Sequence, residues 1–261
     1  MLNTAVRESA VHRFHFEAAR RAPEQANGAR TAISCSSCCL QGVCLPGGLS
    51  SANLPELDEL TTVKRRVARG ASLYRAGEAF DALYAVRSGA FKTTGVSSNG
   101  DEKITGFYLP GEVLGLDAIN SERHHYGATA LEDSQVCVIP FARLTELTLR
   151  IPQLQQQLFR LLSRDIARDH GLMLLLGSMT AEQRLAAFLL SLSRRYKRLG
   201  YAADRFVLRM TREEIGSYLG LTLETVSRLL SRFQRDGLIA VNQREMEVRD
   251  FDSLRAIVGR W

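Results

Sequence analysis

Five cysteines are present: Cys35, Cys38, Cys39, Cys44 and Cys137. Cys35-x2-Cys38-x5-Cys44 lies in a stretch rich in Ser and Gly, SCSSCCLQGVCLPGG. A C-x2-C pair lets two thiolates grip one centre from a tight turn, and a third thiolate a few residues later closes one side of it. The fourth ligand must then come from elsewhere, and Cys137 is the only remote thiol. A set of four thiolates suits an iron–sulfur cluster or a structural zinc ion. Spacing leaves both open. It also leaves Cys39 as a possible substitute for Cys38.

A second group of residues points to base reading. The stretch TREEIGSYLGLTLETVSRLLSRFQR covers residues 211–235. Thr211 followed by Glu214 is a capping box that starts one helix. Gly220 falls where a short turn is needed, and Thr222 can cap a second helix. On that helix Val226, Leu229, Leu230 and Phe233 follow the spacing of a buried face. Glu224, Ser227, Arg228, Ser231 and Arg235 fall on the other side. An acceptor, hydroxyls and guanidinia on the exposed face are the groups that read base edges in a major groove. Arg228 can make a bidentate contact to guanine, Glu224 can accept from a cytosine amino group, and Ser227 can hydrogen-bond or touch a thymine. Arg232 and Arg235 are better placed for phosphates, which position without specifying. The following LIAVNQREMEVRDF alternates apolar and polar residues and reads as a hairpin wing.

These groups need a scaffold. The chain has 261 residues and a net charge of +6, and residues 181–235 alone hold eleven Lys/Arg against five Asp/Glu. The basic excess therefore sits beside the base-reading helix, as in a nucleic-acid footprint. No apolar run is long enough for a membrane span, and no secretory signal is visible, so a cytoplasmic protein with reduced thiols is expected. Residues 1–34 read as a disordered tail and residues 35–60 as a cysteine-rich cluster-binding segment. Residues 61–150 read as a β-roll, in which SQVCVIP is a strand with Gln135, Cys137 and Ile139 on one face. Residues 151–178 form a long helix and residues 179–261 a winged helix-turn-helix. The fold class is α+β.

The long helix has two apolar sides. Leu154, Leu158, Leu161 and Leu172 can pack on the β domain. Phe159, Leu162, Ile166, Asp169, Met173 and Leu176 form a heptad-like seam that suits a homodimer. Asp169 interrupts this seam, either as a charge that keeps the dimer marginal, as a partner of Arg168 or of an arginine across the seam, or as a residue at a frayed edge.

Together these motifs closely resemble the FNR group of the CRP/FNR superfamily of transcription regulators. The resemblance covers roughly residues 35–250. It is carried by SCSSCCLQGVCLP, LYAVRSGAFKT, NGDEKITGFYLPGEVLGLDAI, VCVIPF, AEQRLAAFLLSLSRRY and MTREEIGSYLGLTLETVSRLLSRFQ. It implies a cyclic-nucleotide-binding-like β-roll and a [4Fe-4S] cluster on Cys35, Cys38, Cys44 and Cys137, with Cys39 outside the set. It implies a homodimer that binds DNA while the cluster is intact. Oxygen converts the cluster to a [2Fe-2S] form and then degrades it, and dimer and DNA binding are lost. The aspartate that opposes cluster-free association maps onto Asp169, with Ile166 beside it. The base-reading triad maps onto Glu224, Ser227 and Arg228. The implied partners are a TTGAT-N4-ATCAA-type palindrome in double-stranded DNA and RNA polymerase, the latter through β-roll loops such as residues 96–101.

Gly111-Glu112 is followed by sequence that lacks the Arg-Ser/Thr phosphate clamp of cyclic-nucleotide relatives, so no cyclic nucleotide is expected. A zinc-stabilised or thiol-switch regulator is the alternative. A cluster-bearing redox enzyme is disfavoured, because no G-x-G-x-x-G fingerprint opens a βαβ unit and no acid/base constellation is evident. His124 and His125 are expected to be solvated on a turn.

Overall fold

A computed structural model describes residues 34–96 and 100–259. The expected tail falls outside these residues except for Ser34. The cysteine segment is a chain of tight turns leading into α1 (Leu54–Leu60), which has a proline in its first turn and buries Leu54, Leu57 and Leu60. Proline fits there because that turn's N–H groups have no helical partner. This helix is an addition to the expected cysteine-rich segment over residues 35–60.

Eight strands follow: β1 (Lys64–Val67), β2 (Ser72–Tyr74), β3 (Ala82–Ser88), β4 (Phe91–Val96), β5 (Glu102–Tyr108), β6 (Val113–Leu114), β7 (Gly127–Ala130) and β8 (Ser134–Pro140). They form two antiparallel sheets, ordered β1-β8-β3-β6 and β2-β7-β4-β5. Side-chain alternation splits β8 between two cores. Val136 joins Val67, Val86 and Phe91 between the sheets. Cys137 and Ile139 join Leu83, Ala85 and Val113 on the outer face of the first sheet.

That outer face is covered by Leu45 of the cysteine segment, by α1, by α2 (Phe141–Arg150) and by the start of α3 (Pro152–Ser178). The 27 residues of α3 make a rod about 40 Å long. His124 differs from its expected solvation. It is buried, its ring stacks on Tyr74 with centroids 3.7 Å apart, and Nδ1 faces Asp117 Oδ1 at 4.0 Å. Tyr74 supplies an apolar face that outweighs the turn's usual exposure.

The C-terminal part begins with α4 (Ala181–Arg198), whose capping box joins Thr180 and Gln183. It continues through β9 (Arg205–Val207), α5 (Arg212–Leu219), α6 (Leu223–Arg235), β10 (Ile239–Asn242), β11 (Glu245–Val248) and α7 (Phe251–Val258). The wing is a three-stranded sheet, β10-β11-β9, in which β9 is an addition to the expected hairpin. Leu185, Leu189, Ile215, Val226, Phe233, Ile239 and Leu254 share one core, which reaches into the roll through Phe107 and Leu109. Strand β5 is the edge of its sheet. There the Ile104 N–H donates to Ser217 Oγ of α5 at 3.2 Å.

Candidate functional site

The cysteine segment folds over the outer face of the first sheet. Successive turns carry it: Gln41 N–H donates to the Cys38 carbonyl, Cys44 N–H to Leu40 and Gly47 N–H to Cys44. Asp58 of α1 pins the start, accepting from the Ser36 amide at 3.2 Å and its hydroxyl at 2.8 Å. Cys35 Sγ lies 3.2 Å from Thr61 Oγ1. Cys137 enters from β8, opposite Lys64 of β1 and Ala85 of β3.

The thiols lie within one another's electrostatic reach. Burial pushes the Cys35 thiol up; the Thr61 hydrogen bond opposes this, while Cys137, Asp58 and Cys38 add to it. Burial pushes Cys44 up to about 12; the Leu45 amide opposes this, and Cys35, Cys137 and Cys38 add to it. Cys137 is also raised by burial, against the pull of Arg87 and Lys64. Cys39 is the exposed member of the five. An apolar pocket that disfavours bare thiolates is compensated when a cationic metal centre takes the protons' place. Among the described residues, no three His, Cys, Asp or Glu side chains stand together as a ready-made site for a single metal ion. Cys35, Cys38, Cys44 and Cys137 would offer an all-sulfur donor set, the chemistry that suits an iron–sulfur centre or a zinc ion.

Helix α3 connects this segment to a solvent-facing seam. Leu154 and Leu161 are buried and Leu158 packs beside them. Phe159, Ile166 and Met173 are 59%, 55% and 69% exposed. Asp169 is also exposed, with Oδ1 3.9 Å from Arg168 Nε. Arg168 itself is turned inward. Its guanidinium stacks on Tyr108, donates to the Tyr108 hydroxyl at 2.8 Å and pairs with Asp165.

Helix α6 buries the side that its spacing predicts, and Ser227 is half-buried. Val226, Leu229, Leu230 and Phe233 are buried, and Glu224, Arg228, Ser231 and Arg235 are exposed. Gly220 adopts φ 64°, ψ 39° and turns the chain between α5 and α6, a left-handed conformation that favours glycine. Thr222 Oγ1 accepts from the Thr225 amide at 3.2 Å. The Glu224 carboxyl is held below its ordinary range by its own backbone amide and by Thr222. Ser231 donates back to the Ser227 carbonyl at 3.0 Å, and Arg212 Nη1 reaches Ser227 Oγ at 3.4 Å. Arg232 pairs with Glu182 of α4 rather than extending outward. Arg235 lies 3.9 Å from Asp236.

The ion pairs that tie the two parts together carry no signal in the sequence. Arg195 of α4 donates from Nε to Glu112 Oε1 at 2.9 Å, and from Nη2 to Glu112 Oε2 at 2.5 Å and to the Phe107 carbonyl at 2.6 Å. Burial would raise the Glu112 carboxyl, but Arg195, Arg168 and the Leu109 amide outweigh it and hold it low. Lys92 Nζ meets Glu214 Oε1 at 2.9 Å, and Arg209 pairs with Glu132. Paired opposite charges far apart in sequence carry no periodic signal, so only the fold reveals them.

Residues 64–150 match the cyclic nucleotide-binding domain family and residues 183–257 the Crp-like helix-turn-helix domain family. The chain is 52% identical over 229 residues to the transcriptional regulatory protein btr of Bordetella pertussis, covering 88% of this chain and 95% of that protein. It is 44% identical over 228 residues to the fumarate and nitrate reduction regulatory protein of Escherichia coli, covering 87% and 91%. The chain belongs to the FNR group of the CRP/FNR superfamily. This FNR-group protein is thus a DNA-binding transcription regulator and not an enzyme. The FNR-group fold also agrees with the structure of FixK2 from Bradyrhizobium japonicum, at TM-score 0.70 and 30% identity, covering 76% of this chain and 98% of that one. Among its described residues no helix is long and apolar enough to cross a membrane.

Proposed function

We propose that this regulator senses oxygen through a [4Fe-4S] cluster on Cys35, Cys38, Cys44 and Cys137, and that it binds DNA as a homodimer while the cluster is held. One observation carries the reading. Cys35 and Cys44 of a loop and Cys137 of a strand about a hundred residues away pack against the same hydrophobic core. When bound, the cluster supplies the oxygen-reactive group. The protein's own part is to hold the loop against β8 and the start of α3, so that loss of the ligand set loosens the inner face of the helix. The outer face, with Phe159, Ile166 and Met173, pairs with a second copy, and Asp169 sets how marginal that pairing is.

The paired α6 helices then read the two halves of a TTGAT-N4-ATCAA-type site through Glu224, Ser227 and Arg228. Ser231, Arg232 and Arg235 lie toward the backbone, and Arg232 must leave Glu182 to reach a phosphate. RNA polymerase contacts the β4–β5 turn, of which residues 97–99 lie outside the described set. Cyclic nucleotide is not the effector in this reading, because the Glu112 carboxylate is already engaged by Arg195.

The test is iron and sulfide analysis of protein purified without oxygen, with operator binding measured before and after air. Expected are iron and sulfide at cluster stoichiometry, then bleaching with loss of dimer and DNA binding. Zinc in place of iron, or equal operator binding after bleaching, overturns the proposal.

A further inference from the structure

We infer that Gln157 is a positioning residue that fixes the loop carrying Cys44 to the inner face of α3, so that the placement of the thiol and of the seam helix are set together. The inference deepens the sensor reading above and rests on it for its meaning.

Gln157 is a polar side chain, yet only 3% of it is exposed. It sits on α3 between the buried Leu154 and Leu161. A buried amide in an apolar core is costly unless it is hydrogen-bonded. Here Nε2 donates to the Cys44 carbonyl at 3.0 Å, across 113 residues of sequence. That carbonyl also accepts from the Gly47 amide at 3.0 Å, so both of its lone-pair directions are used. A side chain at Gly47 would push this amide aside: its Cβ would stand 2.8 Å from Gln157 Nε2, with the Cys44 and Gly42 oxygens at 3.1 and 3.3 Å. The loop is thus shaped to receive this one amide.

The direction of the contact matters. Ile166 follows Gln157 by nine residues, which at about 100° per residue puts it on the opposite side of the helix. The amide holds α3 by its inner face while Phe159 and Ile166 face outward, both more than half exposed. Displacement of Cys44 takes its carbonyl from Gln157 and leaves a buried amide without a partner. A shift or turn of the helix recovers that loss, and either movement re-aims the seam.

The experiment compares full-length wild type with Gln157→Leu. In iron-free protein, the rate of Cys44 alkylation by iodoacetamide is read by mass spectrometry, together with amide exchange over residues 152–165. After anaerobic reconstitution with iron and sulfide, the visible spectrum and the dimer dissociation constant are read. We expect Cys44 to react about tenfold faster, the size of one lost hydrogen bond to a buried group. We also expect faster exchange in α3, a changed visible spectrum and a weaker dimer, with unaltered exchange in α6. Unchanged Cys44 reactivity and unchanged α3 exchange overturn the inference, whatever the iron content. If wild type takes up no iron but the iron-free measurements move together, the cluster reading fails and the role of Gln157 stands. Should Gln157→Leu fail to fold, Gly47→Ala presses on the same amide from the loop side. It must move Cys44 reactivity and α3 exchange in the same direction, and wild-type values for both overturn the inference.

Discussion

Arg195 and Glu112 form a two-point ion pair, at 2.9 Å and 2.5 Å, that joins the first helix of the DNA-binding part to the β-roll. The pair fixes an orientation as well as a distance, because a guanidinium fork meets a carboxylate in one plane. Its acid partner is held below the ordinary carboxyl value of 4.5. A carboxyl with a lowered folded-state pKa adds stability that is present above its unfolded pKa and is lost as pH falls through the folded one. Thermal midpoints measured from pH 6 to pH 3 should therefore fall more steeply for wild type than for Glu112→Gln. Parallel slopes would remove this pair from the protein's acid sensitivity.

Arg228→Ala should relax base preference at one position of each half-site and cost about 1–3 kcal/mol in operator binding. Arg235→Ala should weaken all sequences alike and lower the salt dependence. Titrations against the operator and single-base variants, at two salt concentrations, separate these outcomes.

Much of this was legible in the chain beforehand. The α6 face follows from Val226, Leu229, Leu230 and Phe233, because a 3.6-residue period forces everything else outward. The strand carrying Cys137 and Ile139 was readable from the two-residue period. Less visible was where single polar groups go. Arg232 reads as a phosphate contact, and its pairing with Glu182 shows only once α4 packs beside α6. His124 looked solvated until Tyr74 stacked on it. Gln157 reads as one of three glutamines in a row, and helical phase alone cannot say which of them meets a carbonyl.

Cys137→Ala should abolish cluster iron, because no other remote thiol exists. Cys39→Ser should leave it near wild type, since Cys39 is the exposed thiol. Iron per chain in anaerobic preparations checks both substitutions. Full iron in Cys137→Ala would reassign the fourth ligand.

Ile166→Glu should weaken dimerisation by more than about tenfold, since it places a second carboxylate in a seam already holding Asp169. Asp169→Ala should act oppositely and strengthen association of cluster-free protein. Sedimentation equilibrium without iron reads both changes. Equal dissociation constants for the three chains would place the dimer contact elsewhere on the molecule.

Strand β5 is a sheet edge, and α5 covers part of it by way of Ser217 and the Ile104 amide. Uncovered edges are templates for pairing with other chains. Any swing of the DNA-binding part away from the roll bares that edge together with Phe107 and Leu109. Such a swing would carry a risk of aggregation, and a tethered α5 should keep the protein in solution longest.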